Sequence, residues 1–485
     1  MSRKAAGAFV ICLDHGQARR PLFLQIYDTL RSAILDGRLA AGARLPSART
    51  LARDLEISRT TSEEAYAQLQ AEGFVVRRTG AGTFVAGIES VRRPRRGAQV
   101  RATTGPRRLS ARAALLARHP CFPEDTRPRA FAAASPAVDL FPIHTWRSLM
   151  ARTLRRAEHR ALGSSDPAGF RPLREAIASY LAVSRGVVCT PERVIILASS
   201  QQALDLAIRV LSDPSDEAWM EEPGYPGAQA ALLANGARIA PVPVDAHGMR
   251  VADGVRLAPR ARLAYVTPSH QYPLGVTLSL ERRLALLEWA SAQGAWILED
   301  DYDSEFRYNG RPLAAVQGID SHQRVIYVGT FTKVLFPALR LAYAVVPEDL
   351  VDAFTVARGL TDGHPPAPAQ IALADFFAEG HFGAHIRRMR ELYRERRDTL
   401  VTTADRYLAG IELRSTDAGL HAVAHLGPHT NDRAVSERLA RAGVDAQPLS
   451  RFYRGSRGAP GLFLGYGALS PTEISDAVQR MAGVL

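Results

Sequence analysis

The sequence predicts two unlike domains joined by a linker. A small helical domain closed by a β-hairpin spans residues 15–86, and a large α/β domain on a mainly parallel sheet spans 131–485. Three observations carry this division. At 485 residues the chain is too long for one ordinary core. Its net charge of +12 sits at one end: residues 1–130 hold 23 basic and 11 acidic side chains, and the rest of the chain holds 38 of each. Hydrophobic spacing is helical before residue 86 and alternates between strand-like and helical runs after 131.

Hydrophobic content of 46% and charged content of 23% exclude a disordered or fibrous chain. No run reaches the roughly 18 apolar residues of a membrane helix, and no apolar segment of signal-peptide type follows Met1. A soluble, cytoplasmic protein with no membrane partner is therefore expected. Cys12, Cys121 and Cys189 are too widely spaced for a disulfide framework or a zinc site, so no metal is expected.

The small domain begins at Pro21, ahead of Leu22, Ile26, Leu30 and Ile34 at helical spacing; Gly37 and Gly42 end that helix. Ser47 is placed to cap a second helix with Leu51 and Leu55 on one face. Ser58 is placed to cap a third, with Ala65 and Leu69 inward and Gly73 as its stop. Two β-prone runs, Phe74–Arg78 and Thr83–Ala86, flank Gly80 and Gly82 and predict a hairpin. This order describes a winged helix-turn-helix. Ser58, Arg59 and Thr60 place hydroxyls and a guanidinium at the end of the third helix that meets phosphates and base edges. Ser47 and Arg49 open the second helix in the same way, and Gly82 leaves room for the wing tip to approach a duplex.

The stretches Pro21–Gln25, Gly37–Arg49, Ser58–Thr60, Ala65–Tyr66, Glu72–Gly73 and Gly82–Val85 resemble the GntR family of bacterial winged-helix regulators. The resemblance implies binding of double-stranded operator DNA. One departure is Thr61–Ser62, where an apolar residue commonly sits. Residues 87–130, with 11 basic and 3 acidic side chains including Arg92–Arg96, predict an Arg/Pro-rich linker, helical only around Leu109–Arg118.

In the large domain, Val194–Leu197, Ala264–Val266, Trp296–Leu298 and Val325–Val328 predict buried strands, each leading into a polar loop. Only two lysines occur, Lys4 and Lys333, against 59 arginines. Arginine replaces lysine on a surface but cannot form a Schiff base, so Lys333 stands out. An aldehyde cofactor needs that amine, a carboxylate to keep a pyridine nitrogen protonated, and donors for a phosphate. Lys333 supplies the first and an aspartate of the 300 loop the second. Thr330 and Arg340 flank Lys333 as phosphate ligands, and Ser199-Ser200-Gln201 marks a strand-to-helix junction suited to an anion.

Residues 131–485 resemble a fold-type-I, pyridoxal 5'-phosphate (PLP)-dependent aminotransferase. The motifs are Ser165–Gly169, Gln201–Asp205, Glu222–Pro226, Thr267–Pro273, Glu299–Asp303 and Gly329–Lys333 with Leu339–Leu341. With the winged helix in front, the whole chain resembles the MocR subfamily of GntR regulators. The resemblance implies that Lys333 holds PLP as an internal aldimine, a Schiff base. It further implies that Asp300 pairs with the pyridine nitrogen, Tyr302 with the phenolic oxygen and Tyr225 with the ring, while Ser200, Gln201, Thr330 and Arg340 hold the phosphate. A head-to-tail homodimer is implied as well.

Three departures accompany it. Phe463 stands where an aminotransferase places a carboxylate-gripping arginine, with Arg451, Arg454 and Arg457 nearby in sequence; Ser199 replaces a usual glycine; and Leu162-Gly163-Ser164 lacks a tyrosine. Loss of the grip disfavours transamination. The expectation is a regulator that binds operator DNA and senses PLP or an amine or amino-acid effector. The alternative is a PLP-dependent aminotransferase with an accessory DNA-binding domain.

Overall fold

Ser47 and Ser58 start helices for a reason visible in their backbones. Each is extended, and each side chain accepts a hydrogen bond from the backbone N–H three residues on, Thr50 and Thr61 respectively. The computed structural model describes residues 2–6, 9–14, 20–87, 108–117, 129–132, 135–155, 163, 165–310, 313–414, 417–454 and 458–485. Arg92–Arg96, Arg107, Leu162, Ser164, Arg457 and Cys121 lie outside them. The chain divides into two units, Met1–Arg108 and Leu109–Leu485.

In the small unit, an antiparallel pair, β1 (Ser2–Ala6) and β2 (Phe9–Leu13), precedes α1 (Leu22–Leu35), α2 (Ala48–Leu55) and α3 (Arg59–Ala71). The hairpin of β3 (Val75–Arg78) and β4 (Gly82–Val85) follows, paired Val75 to Val85 and Arg78 to Gly82. Ile26, Leu30 and Ile34 of α1, Leu51 and Leu55 of α2, and Ala65 and Leu69 of α3 share one core with Val75 and Val85, as the helical spacing predicts. The β1–β2 pair is not foreseen by the sequence reading. Its second strand is the five-residue apolar run Phe9–Leu13, of which Ile11 and Leu13 enter this core. Ser62 is fully buried in α3, and its Oγ has no hydrogen-bond partner.

The large unit is built on eight strands: β5 (Val194–Leu197), β6 (Glu217–Glu222), β7 (Arg238–Asp245), β8 (Gly248–Met249), β9 (Leu263–Val266), β10 (Trp296–Asp301), β11 (Val325–Thr330) and β12 (Ala342–Val345). They are ordered β5-β12-β11-β10-β9-β6-β7-β8. Neighbours from β7 to β11 pair in parallel, whereas β12 and β8 run against the rest. Helices cover both faces, which is why the strands read as continuous apolar runs. Leu298 of β10 packs in one core with Leu204 and Ile208 of the helix Ser200–Leu211. Its neighbour Ile297 packs in another with Leu286 and Trp289 of the helix Leu280–Gln293.

A second, antiparallel sheet follows, β13 (Glu412–Arg414), β14 (His421–His425), β15 (Gln447–Pro448) and β16 (Gly461–Gly465), ordered β13-β14-β16-β15. It packs on the helices His381–Tyr407 and Pro471–Ala482 through Leu400, Ala404, Ile474 and Val478. No helix among the described residues is long and apolar enough to cross a membrane.

Candidate functional site

The C-terminal ends of the parallel strands open into a cavity of about 560 Å³. All eight residues expected to hold a cofactor line it: Ser200, Gln201, Tyr225, Asp300, Tyr302, Thr330, Lys333 and Arg340. Ser199, Tyr265, Tyr272, Thr332, Gln447 and Phe463 complete the wall.

The four acidic residues at the end of β10 and just beyond are sorted by their partners. Glu299, facing away, accepts the backbone N–H groups of Val316 and Gln317 at 2.8 and 2.9 Å. Asp301 accepts from Arg185 Nε at 2.7 Å and from the Tyr327 hydroxyl at 2.5 Å. Asp303 pairs with His270 Nδ1 at 2.9 Å. Asp300, of opposite pleat to Glu299 and Asp301, is the one that lines the cavity. The Tyr265 hydroxyl donates to its Oδ2 at 2.9 Å, while the buried Oδ1 has no protein partner. Burial pushes the Asp300 carboxyl up to about 7; Tyr265 opposes that rise, and the charges of Asp301 and Asp303 add to it.

Lys333 sits in the turn after β11, half-buried. Desolvation lowers its ammonium below the usual lysine range, against the pull of Asp303. An amine so placed is more readily neutral, the form that attacks a carbonyl. Beside it, the Tyr302 hydroxyl donates to the His270 carbonyl at 2.9 Å and lies 3.1 Å from His270 Nδ1. His270, Asp303 and His421 bring ligand-type atoms within 4.8 Å of one another, but His270 Nδ1 is already committed to Asp303.

Across the cavity lies a set of anion donors. Ser199, extended at φ −170°, caps the helix Ser200–Leu211 by accepting from Gln202 N at 3.1 Å. Glycine is not required at that backbone, so serine serves. Ser200 and Gln201 present the open N-terminus of the helix, where backbone N–H groups favour negative charge. Thr330 ends β11, and Arg340 enters from a left-handed corner at φ 52°. The Thr332 hydroxyl, buried and without a partner, completes this side.

These residues fit an aldehyde cofactor with a ring nitrogen and a phosphate. A buried carboxylate oxygen awaits a donor, a buried hydroxyl awaits an acceptor, and a partly desolvated lysine shares their cavity. Tyr265 and Gln447 escaped the sequence reading. A tyrosine inside an otherwise apolar parallel strand needs a partner for its hydroxyl, a signal that could have singled out Tyr265. Gln447 lies on a two-residue strand without any such signal.

Phe463 of β16 is 1% exposed. Its ring stacks on His421 at 4.5 Å and contacts Tyr272 at 5.4 Å and Phe452 at 5.6 Å. Arg454 is exposed, and its backbone N–H donates to Glu222 at 2.7 Å.

In the small unit, Ser47 and Arg49 are exposed at the start of α2, and Ser58, Arg59 and Thr60 at the start of α3. The Tyr66 hydroxyl donates to the Pro46 carbonyl at 2.8 Å, locking α3 to the entry of α2. Gly82, at φ +113°, begins β4; a Cβ there would lie 3.1 Å from Arg44 Nε. Arg59 leans toward Glu63 at 3.6 Å and is otherwise open to solvent.

Residues 136–481 match the family of class I and II aminotransferases, and residues 22–85 match the bacterial regulatory proteins of the gntR family. The probable rhizopine catabolism regulatory protein MocR of Rhizobium meliloti is 41% identical over 462 residues, which cover 95% of this chain and 93% of that protein. The HTH-type pyridoxine biosynthesis transcriptional regulator PdxR of Corynebacterium glutamicum is 32% identical over 94% of this chain and 95% of its own. The α-aminoadipate aminotransferase LysN of Thermus thermophilus, solved in complex with N-(5'-phosphopyridoxyl)-L-leucine, superposes with a TM-score of 0.69 at 28% identity, covering 77% of this chain and 94% of that one. A winged helix-turn-helix and a fold-type-I aminotransferase-like unit thus occur in one chain, aligned almost end to end with such a regulator, and the chain belongs to the MocR subfamily of GntR-type transcriptional regulators.

Proposed function

We propose that the protein is a PLP-binding transcriptional regulator. Its winged helix binds double-stranded operator DNA in the cytoplasm, and its large unit serves as a sensor of PLP or of an amine or amino-acid ligand presented at Lys333. The observation that carries this reading is the convergence of Lys333, the open Oδ1 of Asp300 and the anion donors around Ser200 and Arg340 in one cavity.

When bound, PLP supplies an aldehyde that condenses with primary amines and a ring that withdraws electrons. The chain's own residues do the rest. Lys333 would provide the amine that holds the aldehyde carbon. Asp300 would accept a hydrogen bond from the protonated ring nitrogen and keep it protonated, and Tyr265 orients the carboxylate by donating to its other oxygen. Tyr302 would face the phenolic oxygen and Tyr225 would line the ring, while Ser200, Gln201 and Thr330 would donate hydrogen bonds to the phosphate and Arg340 would offset its charge. In the small unit Ser47, Arg49, Ser58, Arg59 and Thr60 meet phosphates and base edges, with Gly82 at the wing.

Ligand binding alters DNA affinity only if the two DNA-binding arrangements hold the ligand with different affinity. A head-to-tail homodimer, each DNA-binding domain over the partner's large domain, provides such arrangements. The exposed Leu154, Val356 and Leu360 of the large unit, 53%, 61% and 83% accessible, supply apolar surface that an interface would cover. The regulator reading is favoured over an aminotransferase by Phe463, which removes a carboxylate grip, and by the relatives that span both units.

The test is the visible absorption of the purified chain with PLP, before and after borohydride, with the adduct mapped by mass spectrometry. A band lost on reduction and a pyridoxyl group on Lys333 are expected. A chain that stays colourless with excess PLP overturns the reading.

A further inference from the structure

A ligand carboxylate buried in this cavity needs a cation or a fork of donors to replace its water. Among the described residues the cavity wall holds two cations, Lys333 and Arg340. Lys333 is the anchoring amine, and Arg340 stands with Thr330 and the N-terminus of the helix Ser200–Leu211 on the phosphate side. The wall formed by the small sheet and its neighbours is different. It presents Phe463, Tyr272, Tyr225 and the amide of Gln447, which already donates to the Ala132 carbonyl at 2.8 Å.

Among the described residues, no cation behind that wall lines the cavity. His421, stacked on Phe463, donates Nε2–H to the Pro273 carbonyl at 3.0 Å, and burial holds its ring neutral. Arg451 is near enough for its charge to reach Tyr272, yet it does not line the cavity. On the other side, the charges felt at Tyr302 are those of the carboxyls Asp303, Asp300 and Glu221, and none of these groups is a cation.

We infer that the ligand read at Lys333 is a primary amine with an apolar or neutral polar body and no carboxylate on its amine-bearing carbon, selected against α-amino acids by the aromatic wall of Phe463, Tyr272 and Tyr225. The inference rests on the proposed PLP sensor and narrows it from amines and amino acids to carboxylate-free amines. Specificity of this kind comes from the desolvation of the rejected group rather than from a contact with the accepted one.

The test is titration of the PLP-loaded full-length protein with matched pairs that differ by the carboxylate alone: 2-phenylethylamine against L-phenylalanine, and 3-methylbutylamine against L-leucine. The readouts are the visible absorption band and calorimetric heat. Each amine is expected to act at a concentration at least roughly ten-fold below that of its amino acid, the scale set by burying an unpaired carboxylate. In Phe463→Arg the preference is expected to reverse. Arg451→Gln, a change outside the cavity wall, is expected to leave the amine titrations unchanged. Amino acids that act as well as or better than their amines in the unmodified protein overturn the inference, while PLP trapped on Lys333 in the same sample leaves the sensor reading standing. Failure to take up PLP overturns both.

Discussion

The Tyr265 hydroxyl holds one oxygen of Asp300 at 2.9 Å and leaves the other buried and open toward the cavity. That pairing orients the carboxylate but does not relieve its desolvation, so the carboxyl sits at about 7. The folded, PLP-free protein therefore retains a proton that the unfolded chain releases, and stability falls as pH rises from the ordinary aspartate range through about 7.

Asp300→Asn removes this penalty. Relative to the unmodified protein, PLP-free Asp300→Asn is expected to gain stability on going from pH 5 to pH 8, by about 2–3 kcal/mol, from about 1.4 kcal/mol per unit of pKa shift. Denaturant unfolding at the two pH values measures it, and a pH-independent difference would contradict the assignment. The same variant should bind PLP at least roughly ten-fold more weakly, because a neutral amide replaces the partner of the ring-nitrogen proton.

Lys333→Ala should abolish the reducible visible band and the pyridoxyl adduct. The other lysine of the chain, Lys4, lies in the small unit. A band or adduct that survives in Lys333→Ala would place the aldehyde elsewhere.

Ser62 is buried in α3 with an unpaired hydroxyl. Ser62→Ala removes a desolvated polar atom and introduces a better helix former, so the small unit should gain about 1 kcal/mol. Thermal unfolding followed by circular dichroism checks the sign; a loss would show that the hydroxyl has a partner in solution.

Ser58 and Arg59 separate stability from DNA contact. Ser58→Ala removes the cap of α3 and should cost about 1 kcal/mol of the small unit's stability. Arg59→Ala, at an exposed position, should leave stability nearly unchanged, weaken DNA binding and lower the slope of log affinity against log salt by about 1. An unchanged slope would remove Arg59 from the interface.

By itself the sequence determined the winged helix-turn-helix, because its caps and apolar spacings are local: Ser47 and Ser58 act within three residues, and Leu51 and Leu55 within one helix turn. It also determined the buried parallel strands and singled out Lys333, since a lone lysine among neutral α/β sequence is conspicuous without any coordinates. Tertiary structure decided which acidic side chain faces the cavity. Glu299, Asp300, Asp301 and Asp303 carry the same charge in five residues of sequence, and only pleat direction and distant partners tell them apart: Val316 and Gln317, Tyr265, Arg185 and His270. It likewise decided the character of the opposite wall, where Phe463 meets His421 and Tyr272, which are 42 and 191 residues earlier in the chain. Short-range hydrogen bonds and periodicity are written along the chain; a buried charge acquires its role from whichever distant groups the fold brings to it.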